Sequence, residues 1–160
     1  MKILIVSDTH RSHRAYTDMI DKEGEIDMLI HLGDVEGGEY YIEETAMCPV
    51  HMVAGNNDFF TPLPREEEFY IGDKKVFITH GHHYYVSRGL DRIIAAGINR
   101  GADIVMYGHT HRPAIEQEGN MLILNPGSIS YPRQQGRQRS YMVMEVNEDN
   151  EVNVELKYID

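Results

Sequence analysis

Asp8 and His10 stand two residues apart after the apolar run Ile3-Leu4-Ile5-Val6, and His109 and His111 repeat that spacing after Gly108. In extended backbone, residues i and i+2 project to one side, so each pair forms a two-pronged clamp able to grip one cation. Asp34, Asn56 and His80 follow other apolar runs in the same manner, within Gly33-Asp34, Gly55-Asn56-Asn57-Asp58 and Thr79-His80-Gly81-His82. The set offers carboxylate, imidazole and amide oxygen without thiolate. Those donors suit a hard or borderline divalent ion, manganese first, with iron, zinc or nickel able to use them too. Taken singly, any of these histidines would more often be a hydrogen-bonded structural residue, and Asp8, Asp34 and Asn56 are common turn formers. Seven donors in five ordered clusters, each at the end of an apolar run, reverse that balance.

The runs themselves predict the scaffold. Met28-Leu29-Ile30, His51-Met52-Val53-Ala54, Val76-Phe77-Ile78, Ile104-Val105-Met106 and Met121-Leu122-Ile123-Leu124 resemble the first in length and apolarity, the last leading into Asn125-Pro126-Gly127-Ser128. Short Ile/Val-rich runs without polar alternation suit strands buried on both faces. Helical periodicity separates several of them, over 12–23 (Ala15, Tyr16, Met19, Ile20) and 87–99 (Leu90, Ile93, Ile94, Ile98), and more weakly over 36–47, which Gly37-Gly38 opens. Strand alternating with helix implies an α/β domain whose ligands bind beyond the carboxyl ends of the strands. Residues 140–146 and 151–158 read as a hairpin around Asn147-Glu148-Asp149-Asn150, and 113–118 with 121–124 as another around Gly119-Asn120. A second, more antiparallel sheet follows. His31 and His51, inside apolar runs, read as hydrogen-bonded core histidines, and Arg65-Glu66-Glu67-Glu68 as a solvated loop or edge.

With 160 residues and 41% hydrophobic content, the chain predicts one domain over 1–160. Fifteen basic against 26 acidic side chains give a formal charge of −11, which disfavours a nucleic-acid polymer and favours a small phosphate ester. The four apolar residues 3–6 are too few for a secretory core or membrane span, which predicts a cytoplasmic protein with no membrane partner; a homo-oligomer is left open. Cys48 is the only cysteine, so neither an intrachain disulfide nor a zinc-thiolate site is expected.

The order Asp8-x-His10, Gly33-Asp34, Gly55-Asn56-Asn57-Asp58, Thr79-His80-Gly81-His82 and Gly108-His109-Thr110-His111 resembles the calcineurin-like metallophosphoesterase superfamily, and its small bacterial and archaeal phosphodiesterase branch most. The resemblance spans residues 1 to about 146. It implies a four-layer α/β/β/α sandwich of two mixed β-sheets flanked by helices. It also implies two metals: Asp8, His10 and His111 on one, Asn56, His80 and His109 on the other, Asp34 and a water or hydroxide bridging. Two divalent ions set against two carboxylates and a hydroxide leave about one net positive charge, which suits a phosphodiester monoanion. A phosphomonoesterase is the enzymatic alternative. A protein-binding scaffold is the non-enzymatic one, because the superfamily also resembles a retromer coat subunit.

Around the ligands, Asp58 is expected to accept a proton from a metal-binding histidine. Larger superfamily members place a histidine proton donor where this chain has Asn57, and an amide cannot supply that proton. His82 is then the preferred general acid, ahead of His83 and His13. Asn125, Gly127, Ser128 and Arg133 are the expected phosphate contacts, Gly127 and Ser128 through backbone amides and Arg133 through charge.

Overall fold

The computed structural model describes residues 1–159. Ten strands form two five-stranded sheets. The first runs β10-β9-β1-β2-β3, from β1 (Lys2–Val6), β2 (Met28–His31), β3 (Val50–Met52), β9 (Ser140–Val146) and β10 (Val152–Tyr158). The second runs β4-β5-β6-β8-β7, from β4 (Glu66–Ile71), β5 (Lys74–Thr79), β6 (Ile104–Met106), β7 (Pro113–Glu118) and β8 (Met121–Pro126). Parallel pairing joins β1, β2 and β3 in one sheet and β5, β6 and β8 in the other, with antiparallel strands at the flanks. Both sheets are therefore mixed.

The two-residue side-chain period sorts each strand onto two faces. Ile3 and Ile5 join Val76, Ile78, Ile104 and Met106 in a core between the sheets. Leu4 and Val6 face the other way, against Ala15, Tyr16 and Met19 of α1 (His13–Glu23) and Ile42 of α2 (Glu39–Thr45). Phe77 and Val105 pack outward against Ile93 and Ala96 of α3 (Asp91–Asn99). The result is four layers, helix, sheet, sheet and helix, as the resemblance implied. Both faces of the central strands are apolar because both are covered.

Local chemistry sets the boundaries. Ser12 caps α1, its hydroxyl accepting from the Ala15 N–H, and Gly24 ends it at φ 73°. The α2 helix starts at Glu39 instead of residue 36, because Glu36 (φ 56°) and Gly37 (φ 88°) adopt left-handed backbone. The α3 helix starts at Asp91 instead of residue 87, behind a turn with Tyr85 at φ 53° and Gly89 at φ 150°. Both hairpins form, with Glu118 opposite Met121 and Val146 opposite Val152, but they flank different sheets, so the expected second, more antiparallel sheet does not exist as such. The acidic 66–68 segment opens an edge strand in which exposed Glu66, Glu68 and Tyr70 alternate with part-buried Glu67 and Phe69 and buried Ile71. Among the described residues, no helix is long and apolar enough to cross a membrane.

Candidate metal centre

Parallel pairing in both sheets aims the carboxyl ends of β1, β2, β3, β5, β6 and β8 at one edge of the sandwich, where the polar clusters follow. Backbone bonds lock the clusters together: the Asp8 N–H donates to the Gly33 carbonyl, and the Gly108 N–H to that of His80. Across the two sheets, the His109 N–H donates to Asp8 Oδ2 at 3.2 Å. The glycines permit this approach. A Cβ on Gly33 would stand 2.7 Å from His80 Nδ1, and one on Gly55 or Gly108 would collide with Asp34 Oδ1 or Ser7 Oγ.

Seven side chains from five clusters meet here. His111 Nε2 lies 3.0 Å from Asp8 Oδ1 and 3.2 Å from His10 Nε2. Asn56 Oδ1 lies 3.0 Å from both His80 Nε2 and His109 Nδ1. Asp34 Oδ2 stands between the two groups, 3.7 Å from His10 Nε2 and 3.6 Å from His80 Nε2. Donor atoms of Asp8, His10, Asp34 and His111 all lie within 4.8 Å of one another. Asp8, Asp34, His80 and His111 are buried.

The outer hydrogen bonds decide what the inner atoms can do. His111 Nδ1 faces the Tyr131 carbonyl at 2.7 Å, His80 Nδ1 faces the Leu32 carbonyl at 2.7 Å, and His10 Nδ1 faces Glu36 Oε1 at 3.0 Å. A carbonyl or carboxylate only accepts, so each Nδ1 carries a proton, which leaves Nε2 as the atom each ring can offer to a cation. A bound cation would take the Nε2 lone pairs of His10, His111 and His80 and the Asn56 oxygen, which otherwise face one another. Asp8 Oδ1 is buried without a hydrogen-bond partner, an expensive state unless a cation compensates it. The residues present therefore fit a bound cation.

Electrostatics agrees. Burial opposes ionisation of Asp8, yet the neighbouring imidazoles of His10, His111 and His80 hold its carboxyl far below the usual range. Burial also opposes a charged His10, but Asp8 and Glu36 push it up to about 9. The pocket demands positive charge. Five of these seven residues hold left-handed backbone, not the extended backbone expected of the Asp8–His10 and His109–His111 pairs: Asp8 (φ 55°), His10 (44°), Asp34 (59°), His109 (70°) and His111 (58°). Each such residue costs on the order of 1–3 kcal/mol and persists only where surrounding structure imposes it, as at functional sites.

The remaining candidates fall in different places. Asn57 grips both oxygens of Asp34, its backbone N–H on Oδ1 and its side-chain amide on Oδ2, each at 2.9 Å. Asp58 receives no histidine proton. Its carboxylate accepts instead from the backbone N–H groups of Asp34, Glu36 and Gly55, each at 2.7 Å, which braces the left-handed turn carrying Asp34. His82 stands beside the centre, its ring 5.4 Å from that of His80 and 6.0 Å from that of His109, with Nδ1 buried and unpartnered. Burial, helped by His80, His83 and His109, pushes it down to about 4, so near neutral pH it lacks the charge of a strong proton donor. His13 stacks on Tyr41 with ring centroids 4.3 Å apart.

Asn125 and Gly127 are committed internally and do not face a phosphate as expected. The Asn125 amide donates to the Gly108 carbonyl and Thr110 Oγ1, while its oxygen accepts the Gly127 N–H. Ser128 is buried, its hydroxyl donating to the Asp8 carbonyl and accepting from Ser130 and Tyr131 N–H. Arg133 is exposed on a cavity that His10 and His111 also line. His31 is a buried core histidine between Thr9 Oγ1 and the Gly33 N–H. His51 is only half-buried; it stacks on Phe69 and bonds Glu67 where the edges of the two sheets meet.

Three supporting residues escaped the sequence reading. Ser7 donates to Asp8 Oδ2 at 2.5 Å, Ser130 donates to the Asp8 carbonyl, and Glu36 bonds His10. Glu36 follows Asp34 at the i+2 spacing used to pair Asp8 with His10, so it carried a readable signal. The serines, common in any loop, carried none.

A model of the calcineurin-like phosphoesterase superfamily domain matches residues 1–149. The probable metallophosphoesterase YsnB of Bacillus subtilis is 32% identical over 150 residues, covering 93% of this chain and 86% of the relative. Phosphodiesterase MJ0936 of Methanocaldococcus jannaschii is 34% identical over 146 residues, covering 79% and 83%. A Streptococcus pneumoniae crystal structure, described as a predicted phosphoesterase, superposes with a TM-score of 0.85 at 30% identity over 99% of this chain and 89% of that one. Vps29 of Entamoeba histolytica, solved with zinc, superposes at 0.79 with 25% identity over 100% of both chains. This chain belongs to the calcineurin-like phosphoesterase superfamily.

Proposed function

We propose that the chain is a dinuclear divalent-metal phosphoesterase acting on small phosphodiesters. The observation that carries this reading is the pair of inward-facing donor groups, Asp8–His10–His111 and Asn56–His80–His109, with Asp34 Oδ2 between them. Asp8, His10 and His111 would hold one cation, Asn56, His80 and His109 the other, and Asp34 would touch both. Such ions, when bound, would polarise phosphoryl oxygens and supply hydroxide near neutral pH by lowering the pKa of bound water from 15.7 toward roughly 7.

The chain's own residues do the positioning. Glu36 and the carbonyls of Leu32 and Tyr131 fix the ring orientations of His10, His80 and His111. Asn57 holds both oxygens of Asp34, so it orients a ligand and gives no proton. With His82 neutral near pH 7, the preferred proton donor carries no charge to give the departing oxygen, which favours esters with good leaving groups. The charge balance, about one net positive, favours a monoanionic diester over a dianionic monoester. Oxygen and nitrogen donors without thiolate favour manganese. Cys48, a free thiol, suits the reducing cytoplasm we assign to the protein. A scaffold would gain nothing from burying Asp8 Oδ1 without a partner.

The test is hydrolysis of bis(p-nitrophenyl) phosphate and p-nitrophenyl phosphate after chelation and again after adding manganese. Manganese should restore turnover, with the diester faster. A faster monoester would make the protein a phosphomonoesterase, and no restored turnover on either would end the enzymatic reading.

A further inference from the structure

Beside the metal centre lies a cavity of about 580 Å³ lined by His10, His111, Arg112, Tyr131, Arg133 and Arg137, with no carboxylate on its wall. All three arginines are exposed, and among the described residues none has an ion-pair partner. Of the arginines elsewhere, Arg11 faces Glu36, Arg14 faces Asp18, Arg100 bonds Glu66 and Arg92 lies over the Tyr85 ring, while Arg65 stands alone on the opposite side of the centre with Asp58 on the same cavity wall. In a chain of formal charge −11, three unpaired cations around one opening form a local anion site.

The cavity is also held in register with the metals. The Tyr131 carbonyl accepts from His111 Nδ1, the Arg133 N–H donates to the His111 carbonyl at 3.0 Å, and Arg112 directly follows His111. Ser130 Oγ donates to the Asp8 carbonyl at 2.8 Å. An anion bound to these arginines would therefore sit at a fixed offset from a phosphate on the metals. The opposite side of the centre differs in kind: a cavity of about 430 Å³ lined by Asn56, Asp58, Phe60, Leu63, Arg65 and His82 pairs apolar and aromatic surface with one arginine and a carboxylate. The two substituents of a diester would meet unlike surroundings.

We infer that the arginine cavity binds a second, terminal phosphate, so that the preferred substrate is a small phosphodiester that also carries a phosphate monoester. The inference rests on the phosphoesterase reading and names its substrate class. A terminal phosphate is a dianion with three acceptor oxygens, matched to several guanidinium forks, whereas a diester backbone offers one charge per phosphate and meets the repulsion of the whole acidic molecule.

The test compares thymidine 3′-phosphate 5′-(p-nitrophenyl phosphate) with thymidine 5′-(p-nitrophenyl phosphate) on manganese-loaded protein. The first should show kcat/KM at least about tenfold higher, or about 1.4 kcal/mol, carried by KM. In Arg112→Gln/Arg137→Gln that ratio should fall toward one. Calorimetry supplies a readout independent of turnover: thymidine 3′,5′-bisphosphate should bind at least about tenfold tighter than thymidine 5′-monophosphate, again only with the arginines present. Equal kcat/KM values together with equal affinities would overturn the inference while leaving the esterase reading intact. A thymidine dinucleotide lacking a terminal phosphate but binding as tightly as the bisphosphate would also overturn it, assigning the cavity to a diester backbone. Tighter bisphosphate binding without turnover of either ester would sustain the anion site and refute the esterase.

Discussion

Replacing Asp58 with alanine should damage both the fold and the candidate metal centre, although Asp58 is not among the seven proposed ligands. Its carboxylate accepts three backbone N–H groups at 2.7 Å, from Asp34, Glu36 and Gly55. A buried N–H left without an acceptor costs about 1–3 kcal/mol, giving an upper bound of roughly 3–9 kcal/mol. Two effects reduce it. The site is half-buried, so water can satisfy part of the loss, and burial together with the charge of Asp34 already raises the Asp58 pKa, so removing the carboxylate relieves some strain. The net expectation is about 2–4 kcal/mol, a large share of the 5–15 kcal/mol typical of a domain. It should appear as a lower urea midpoint at unchanged slope. Because the same bonds hold Asp34 at φ 59°, manganese affinity should fall about 10- to 100-fold. Asp58→Asn keeps the shape but turns an amide N–H toward backbone N–H groups, so it should sit between wild type and alanine. Wild-type urea stability and wild-type manganese affinity in Asp58→Ala would refute the bracing role.

Other expectations follow from the same geometry. Asn57→Ala should weaken manganese binding about tenfold in a calorimetric titration, because Asp34 Oδ2 loses its amide donor, while kcat at saturating metal changes little. Gly108→Ala forces a Cβ against Ser7 Oγ and to 2.9 Å from Asp8 Oδ2, and should cost about 1–3 kcal/mol in thermal unfolding. Glu23 ties the end of α1 to β1, β9 and β10 through Lys2, Lys157 and Tyr141. Burial would raise its pKa, but the Tyr141 hydroxyl and the two lysines outweigh it and hold Glu23 below its ordinary value. That stability is complete above the ordinary carboxylate pKa of about 4.3 and is lost as pH falls through the lowered one. Glu23→Gln should thus cost about 2 kcal/mol at pH 7 and progressively less in acid, read as converging urea midpoints.

The strands and ligand clusters were legible because one physical rule produces both. A central parallel strand is apolar on each face, so Ile3–Val6 or Ile104–Met106 stands out without alternation, and the polar cluster that ends it marks the ligand edge. Pairing of strands from distant sequence was not legible: the family resemblance implied two mixed sheets, but their strand order came only with the structure. Where prediction slipped, tertiary demand overrode local pattern. Glu36 carries helical neighbours but takes a left-handed turn to reach His10. Arg65–Glu68 reads as a solvated loop or edge, and the edge is what forms, because an edge strand shows Glu66 and Glu68 to water. Asp58 and Asn125 have side chains suited to catalysis and phosphate binding, yet both serve the backbone. Composition cannot reveal that choice, because it depends on which N–H groups the fold leaves unpaired.

The central claim is that these donors form two cation sites sharing Asp34. The most direct measurement is the manganese content per chain of protein freed of metal and then titrated, followed alongside turnover of bis(p-nitrophenyl) phosphate. The account predicts two ions per chain, one in His111→Ala and one in His80→Ala, with turnover lost in both variants. One ion or none in the wild-type protein under saturating manganese, or full turnover in either variant, would contradict it.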